Sequence, residues 1–98
     1  MHRFVSLISI GLLTVLSQAQ AEEPDDEYVR IYNLIQQADG LMASGQSSEA
    51  KEKYREAQSA LQTFQKGRPD WHPQVAQFRL RYLAEKLQRL SADIGSRP

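Results

Sequence analysis

The sequence contains no cysteine, which excludes a disulfide framework and a thiolate metal site. After residue 21, β-branched residues are few and no stretch alternates apolar and polar residues over several positions, so strands are not predicted. No excess of basic charge is present either, because 12 Lys and Arg residues face 12 Asp and Glu residues. Since nucleic-acid-binding domains are normally strongly basic, this balance argues against a nucleic-acid partner. These absences favour an all-α fold.

Signatures of catalysis are also missing. The chain has no HxxE or GxSxG motif and no glycine-rich phosphate loop. Asp70 and His72 are close in sequence, but a metal site needs three or four ligands, and His2 is the only other histidine. Capping or turn formation is the simpler role for this pair. We therefore expect no enzyme activity, no cofactor, no metal and no small-molecule substrate.

The longest apolar run lies at the N-terminus. Arg3 precedes the apolar segment 4–16, which is followed by Ala19 and Ala21 at the small-x-small positions of a signal peptidase site. This arrangement predicts a signal peptide over residues 1–21 and contact with the membrane only during export. The alternative is an uncleaved anchor, although a spanning helix needs about 20 apolar residues.

Cleavage after Ala21 would leave a mature chain of 77 residues with 11 Lys and Arg against 12 Asp and Glu. Acids predominate over residues 22–49 and bases over residues 50–98. A domain of this size buries only about 60% of its unfolded surface. Without disulfides or a metal, tight helix packing, a protein partner or self-association must supply the missing stability.

Apolar residues recur at three- and four-residue steps in three segments of the mature chain, which predicts three amphipathic helices. We expect an acidic, flexible lead-in over 22–27, a helical domain over 28–92 and a frayed tail over 93–98. The predicted helices span about 27–43, 47–66 and 73–92.

Helix boundaries have their own signals. Gly45 suits a left-handed turn after the first helix, and Gly67 a cap after the second. Ser47 or Ser48 suits the N-cap of the second helix. Pro73 suits the first turn of the third helix, with Asp70 or His72 as its cap.

Small residues occur in the first two helices where two helices would cross closely. The pattern is Leu34-x-x-Gln37-Ala38-x-x-Leu41, then Gly45 in the turn, then Ala50-x-x-x-Tyr54-x-x-Ala57. It resembles a tetratricopeptide repeat, a helix-turn-helix unit of about 34 residues. The resemblance implies that Ala38 and Ala50 lie at the crossing of the pair, and that Tyr54 and Ala57 face the next unit.

The third helix repeats this pattern as Leu80-x-x-Leu83-Ala84-x-x-Leu87 and so resembles the opening helix of a second repeat or a capping helix. Two features depart from the family: Ala38 and Ala84 are 46 residues apart, and Gln62 occupies the usual proline position. Together with the predicted signal, the chain resembles small exported bacterial proteins that carry one such unit. This implies a periplasmic or secreted protein-binding module.

Candidate contact residues are aromatic, because aromatic side chains commonly anchor interfaces. Trp71, the only tryptophan, lies in the loop before the third helix, where packing over the helix junction is the favoured interpretation and partner recognition the alternative. The leucine stripe of the third helix consists of Ala76, Leu80, Leu83, Leu87, Leu90 and Ile94. The strip of Val75, Phe78 and Tyr82 lies beside it and is expected to face a protein partner or a second copy. The remaining candidates are Tyr28 and Tyr32 on the first helix. Alternatively, the leucine stripe of the third helix forms a coiled-coil seam in a structural assembly subunit of the cell envelope.

Overall fold

A computed structural model of the chain describes residues 23–95, with side chains described through residue 92. These residues form three α-helices and no strand: α1 (Pro24–Ala43), α2 (Ser47–Gly67) and α3 (Pro73–Gly95). The all-α, three-helix fold class is thereby confirmed. The predicted signal peptide over 1–21 and the end of the predicted tail over 96–98 lie outside the described residues.

Helix α2 is the middle layer, and both other helices pack against it. Asp39, late in α1, contacts Tyr54, early in α2, so these two helices run antiparallel. Tyr28 and Arg79 are each early in their helices and bond to one another, so α1 and α3 run in the same direction. Side chains of α1 and α3 therefore meet at corresponding heights along the two helices.

Helix α1 begins at Pro24, so four residues of the expected flexible lead-in are helical. Proline is well suited to the first turn because its missing N–H has no intrahelical partner there. Asp25, Asp26 and Glu27 place negative charge at the positive end of the helix dipole. Contacts to the α2–α3 loop, described below, also hold this turn, which extends the helix beyond the start that periodicity predicts.

The turn between α1 and α2 contains the one positive-φ glycine among the described residues. Gly45 has φ +81°, as predicted, and Gly45 N donates to Met42 O at 3.1 Å. The predicted serine N-cap is wrong: Gln46 occupies the cap position, and no side-chain cap bond forms. Ser47 is already helical because the tight turn brings Gln46 O to Ala50 N at 2.9 Å.

The loop between α2 and α3 reverses the chain over five residues, 68–72. Gly67 is the last helical residue and not the residue beyond the helix, where a cap was predicted; Arg68 occupies that position and its N–H donates to Phe64 O at 2.9 Å. His72 has φ 29°, an uncommon value for a residue other than glycine, and its carbonyl accepts from Ala76 N at 3.1 Å. Pro73 then begins α3, as expected from the sequence.

The core runs along α2 and receives residues from both neighbours. Ala38 and Ala50 are completely buried, as are Tyr54, Ala57 and Leu61. Leu34 and Leu41 are partly buried against the same core. The other buried residues are Ile31, Ile35, Phe64, Ala76, Leu83 and Leu90.

The leucine stripe of α3 faces α2. Leu83 and Leu90 are buried, and Leu80 and Leu87 pack partly buried against the core. Ala84, by contrast, is exposed on the outer side of α3. None of the three helices in the described part of the chain has the length and apolar character needed to cross a membrane.

Candidate functional site

The surface between α1 and α3 combines aromatic rings, cations and one carboxylate. Helix α1 contributes Tyr28, Tyr32 and Asp39. These three lie on the same side of the helix because they are spaced four and seven residues apart. The α3 side chains follow the same spacing. We call this surface the α1–α3 face and define it by Tyr28, Tyr32, Asp39, Phe78, Arg79, Tyr82 and Lys86.

Arg79 joins the two helices at one end of the face. Its Nε donates to Tyr28 Oη at 3.1 Å. Its guanidinium carbon lies 5.0 Å from the centroid of the Tyr32 ring and 5.4 Å from that of Phe78. Tyr28 and Tyr32 stack on one another with centroids 6.4 Å apart. A cation at these distances from two rings is held by their electron-rich faces, so the guanidinium is positioned without a carboxylate.

Asp39 joins all three helices in the middle of the face. Tyr82 Oη of α3 donates to Asp39 Oδ1 at 2.9 Å, and Tyr54 Oη of α2 donates to the same oxygen. Bonds to an ionised acceptor are about twice as strong as those between neutral groups. One carboxylate therefore satisfies the hydroxyl of the completely buried Tyr54 and also anchors α3.

Both tyrosines of this cluster resist ionisation. Burial raises the pKa of Tyr54 well above its ordinary value near 10, and the hydrogen bond to Asp39 raises it further. Burial and the same carboxylate also raise the pKa of Tyr82, against a smaller lowering effect of Tyr54 and Arg79. A phenolate beside a carboxylate would be both desolvated and repelled, so the neutral hydroxyl donors are the stable form.

Trp71 closes one end of the molecule. Its ring centroid lies 4.7 Å from that of Tyr28 and 5.0 Å from that of Phe64. Its Nε1 donates to Asp25 Oδ1 at 2.8 Å, and next to it Arg68 Nη1 pairs with Glu27 Oε1 at 2.9 Å. The loop before α3 is therefore tied to the first turn of α1.

The five aromatic candidates consequently occupy different environments. Tyr28 and Trp71 are mainly engaged within the molecule, and the Tyr82 hydroxyl is committed to Asp39. Phe78 is 55% exposed, and Tyr32 is partly exposed beside Arg79. The aromatic group that points into solvent is thus centred on Phe78.

Sequence reasoning missed three members of the face: Asp39, Arg79 and Lys86. Asp39 follows the buried Ala38, and Arg79 lies between Phe78 and Leu80. The available signal was a single charged residue beside the apolar stripe of its helix, a pattern that is also common on solvated faces. The roles of Asp39 and Arg79 depend on partners in other helices, which periodicity cannot identify.

A second concavity lies on the flank of α1 and α2 that faces away from α3. It is a shallow groove of about 610 Å³. Its α1 side includes Glu27, Arg30 and Leu34, and its α2 side includes Glu56, Ala60 and Thr63. The rim of this groove carries charges of both signs, and none of the described residues that line it is a buried polar side chain. The groove therefore has no chemical group aimed at a ligand.

The residues considered for metal binding are exposed. Asp70 and His72 both lie at the surface, and the His72 ring packs edge-on against Trp71 with centroids 4.7 Å apart. Over residues 23–92, no group of three or more His, Cys, Asp or Glu side chains is arranged to hold a metal ion.

Comparison of this chain with known proteins gives no match. No protein-family model, no curated protein and no solved structure matches it.

Proposed function

We propose that this chain is an exported protein-interaction module of the tetratricopeptide type, without catalytic activity, that binds its partner through the α1–α3 face. One observation carries the proposal: Phe78 is 55% exposed beside Arg79 and Tyr32, where side chains of α1 and α3 meet. Val75, one turn before it on the same strip, is 40% exposed.

The composition of this surface supports protein binding. Aromatic residues and arginine are the types most enriched at the centres of protein interfaces. Burial of apolar surface stabilises a complex by roughly 25 cal/mol per Å² before the costs of association. Arg79 adds rigidity, since its contacts to Tyr28, Tyr32 and Phe78 hold the rings in place before a partner arrives.

The packing of the helices supports the repeat type. Ala38 and Ala50 are both completely buried, as close backbone approach in such a helix pair requires. The outer side of α3 carries no large apolar side chain: Gln77, Ala84 and Gln88 are exposed there. Terminal units of repeat arrays need a polar outer face for solubility, so α3 acts as a capping helix.

The coiled-coil assembly subunit is the alternative function. A seam on α3 would use Leu83, Leu87 and Leu90, of which Leu83 and Leu90 are buried against α2. Forming the seam would therefore require α3 to leave α2 and break the hydrogen bond from Tyr82 to Asp39. We prefer the binding module because it uses residues that are already exposed.

The prediction of export depends only on the sequence of residues 1–21, so it is tested separately from the binding function. Mass spectrometry of the protein recovered from the periplasm or the medium should give a first residue of Glu22. An intact Met1 in the recovered protein would remove export by cleavage from the proposal, while the binding function would stand.

The binding function is tested by photocross-linking in the cells that make the protein. Phe78 is replaced by p-benzoylphenylalanine, which keeps an aromatic ring at the position. Gln62, exposed on α2 and outside the α1–α3 face, carries the same group in the control. We expect protein adducts from position 78 and few from position 62. Equal yields at the two positions, or no protein adduct from position 78, would reject the proposed interface.

A further inference from the structure

We infer that the partner of the α1–α3 face presents an acidic segment with an apolar side chain that packs on Phe78. The inference rests on the proposed function and adds the chemistry of the partner to it. Its basis is the distribution of ion pairs over the three helices.

Within residues 73–92, where side chains are described, the cations of α3 have no carboxylate partner. Over residues 73–92, α3 carries Arg79, Arg81, Lys86 and Arg89 against the single acid Glu85. Among the side chains described, none of these four cations lies within ion-pair distance of an acid, although Glu85 is four residues from both Arg81 and Arg89. Asp39 of α1, which contacts α3 through Tyr82, accepts two tyrosine hydroxyls instead.

In α2, two of the four cations are paired with acids, and Lys51 and Lys66 are not among the ion pairs of the described residues. In α2, Lys53 pairs with Glu56 at 3.5 Å and Arg55 with Glu52 at 3.9 Å. The loop cation Arg68 pairs with Glu27 of α1. Among the described side chains, α3 therefore carries four cations outside any ion pair against two on α2, and it is also the helix that bears the exposed Phe78 and Val75.

The cations occupy defined positions around the apolar side chains. Arg79 lies over the Tyr32 and Phe78 rings, and Lys86 Nζ lies 5.3 Å from the centroid of the Tyr82 ring. Farther along α3, Lys86 and Arg89 line a pocket of about 220 Å³ whose apolar wall is Met42 and Leu90. The surface thus runs from an aromatic patch to a cationic, partly apolar pocket, which an acidic segment with apolar side chains complements along its length.

Pairing with a second copy is disfavoured by the same charges. Two α3 helices placed face to face would bring four cations against four, and like charges at an interface oppose association. Of the three acids in the first turn of α1, Asp25 and Glu27 already bind Trp71 and Arg68, so only Asp26 is left there to offset four cations of a second copy. A separate acidic protein segment remains as the occupant that forms new ion pairs.

The test identifies the segment that the cross-linker captures. The full chain with p-benzoylphenylalanine at position 78 is irradiated in cells, and mass spectrometry sequences the cross-linked peptide. We expect a segment with net negative charge and at least one apolar residue at the attachment point. A neutral or basic segment would overturn the inference but leave the proposed function intact, whereas the absence of any protein adduct would reject both.

Charge-reversal variants test whether the cations cause the binding. R81E combined with R89E should lower the adduct yield roughly tenfold, while R81K combined with R89K retains it. The matched control, R55E with K66E, makes the same change in net charge on α2 and should leave the yield unchanged. Unaffected thermal unfolding of each variant, followed by circular dichroism, separates lost binding from lost folding.

Two further outcomes would also overturn the inference. One is an acidic segment whose capture does not respond to R81E with R89E, because its charge would then be incidental. The other is an adduct with a second copy, with a dimer mass in light scattering of the purified mature chain. Binding of the purified chain to vesicles of phosphatidylglycerol and phosphatidylcholine, without any protein adduct from position 78, would point to a lipid surface and reject the proposed function as well.

Discussion

Tyr82 Oη lies 2.9 Å from Asp39 Oδ1, the same oxygen that accepts the hydroxyl of Tyr54. Because Tyr54, Asp39 and Tyr82 belong to three different helices, this one atom connects the whole described fold. It also fixes α3 beside α1 at the height of the α1–α3 face. The stability of the domain and the shape of its proposed binding surface therefore depend on the same cluster.

The first prediction concerns Asp39. Replacement by alanine leaves the buried Tyr54 hydroxyl and the Tyr82 hydroxyl without their acceptor, so we expect the free energy of unfolding to fall by about 2–3 kcal/mol. The D39N variant keeps an oxygen acceptor at this position but loses the charge, so D39N should cost less than D39A. Urea unfolding measures both, with D70N in the exposed loop as the control. Equal stability of D39A and wild type would contradict the role of this carboxylate.

The second prediction concerns alkaline pH. The pKa values of Tyr54 and Tyr82 are raised in the folded state, so unfolded tyrosines lose their protons first as pH rises through about 10. The folded state then binds more protons than the unfolded state. Stabilisation by this linkage is complete below pH 10 and is lost progressively above it.

Phenylalanine variants isolate this pH dependence. Y54F and Y82F should each flatten the decline of unfolding free energy above about pH 10, because each removes one shifted group. F78A, which removes an exposed side chain without a titratable group, should decline like wild type. Urea titrations at a series of alkaline pH values provide the comparison. Identical slopes for all four proteins would mean that the cluster does not control alkaline stability.

The third prediction separates structural from exposed aromatic residues. W71F keeps most ring packing but loses the bond from Nε1 to Asp25, so we expect a loss of about 1 kcal/mol. W71A also removes contacts with Tyr28 and Phe64 and should cost roughly 2–4 kcal/mol. F78A serves as the control and should change stability by less than about 0.5 kcal/mol. Circular dichroism follows unfolding in each case, and a cost for F78A as large as for W71A would place Phe78 in the core.

The fourth prediction concerns the crossing of α1 and α2. Ala50 is completely buried, so A50L must push the helices apart and should destabilise by about 1–3 kcal/mol. Ala84 is exposed on the outer side of α3, so A84L makes the same chemical change without a steric cost. Thermal unfolding compares the two. A clear loss for A84L would show that the outer side of α3 is covered, against its proposed role as a cap.

The fifth prediction uses two glycines with opposite expected signs. Gly45 has φ +81°, where a side chain is strained, so G45A should destabilise by about 1 kcal/mol. Gly40 lies inside α1 with no atom within 4 Å of a Cβ placed there, so G40A should stabilise by about 0.5–1 kcal/mol. Urea unfolding of both variants gives the comparison, and effects of the same sign would contradict the backbone argument.

Local signals in the sequence account for much of the fold. Periodicity located three helices, with the end of α1 and the start of α3 at the predicted residues, and Gly45 and Pro73 mark boundaries as expected. These features depend on neighbours within about one helical turn, so they can be read along the chain. The predicted serine N-cap is wrong because the tight turn places Gln46 at the cap position of α2. The predicted lead-in is helical from Pro24 because Arg68 and Trp71 hold the first turn of α1.

Composition and periodicity by themselves determined that the described chain is all-α and that α3 has more apolar surface than one neighbour covers. Only the tertiary structure decided that Asp39 and Arg79 connect the helices and that Phe78, rather than Tyr28 or Trp71, is left exposed. The physical reason is the distance in sequence between partners. Tyr54 is 15 residues from Asp39 and Arg79 is 51 from Tyr28, so these bonds exist only once packing on α2 has brought the helices together.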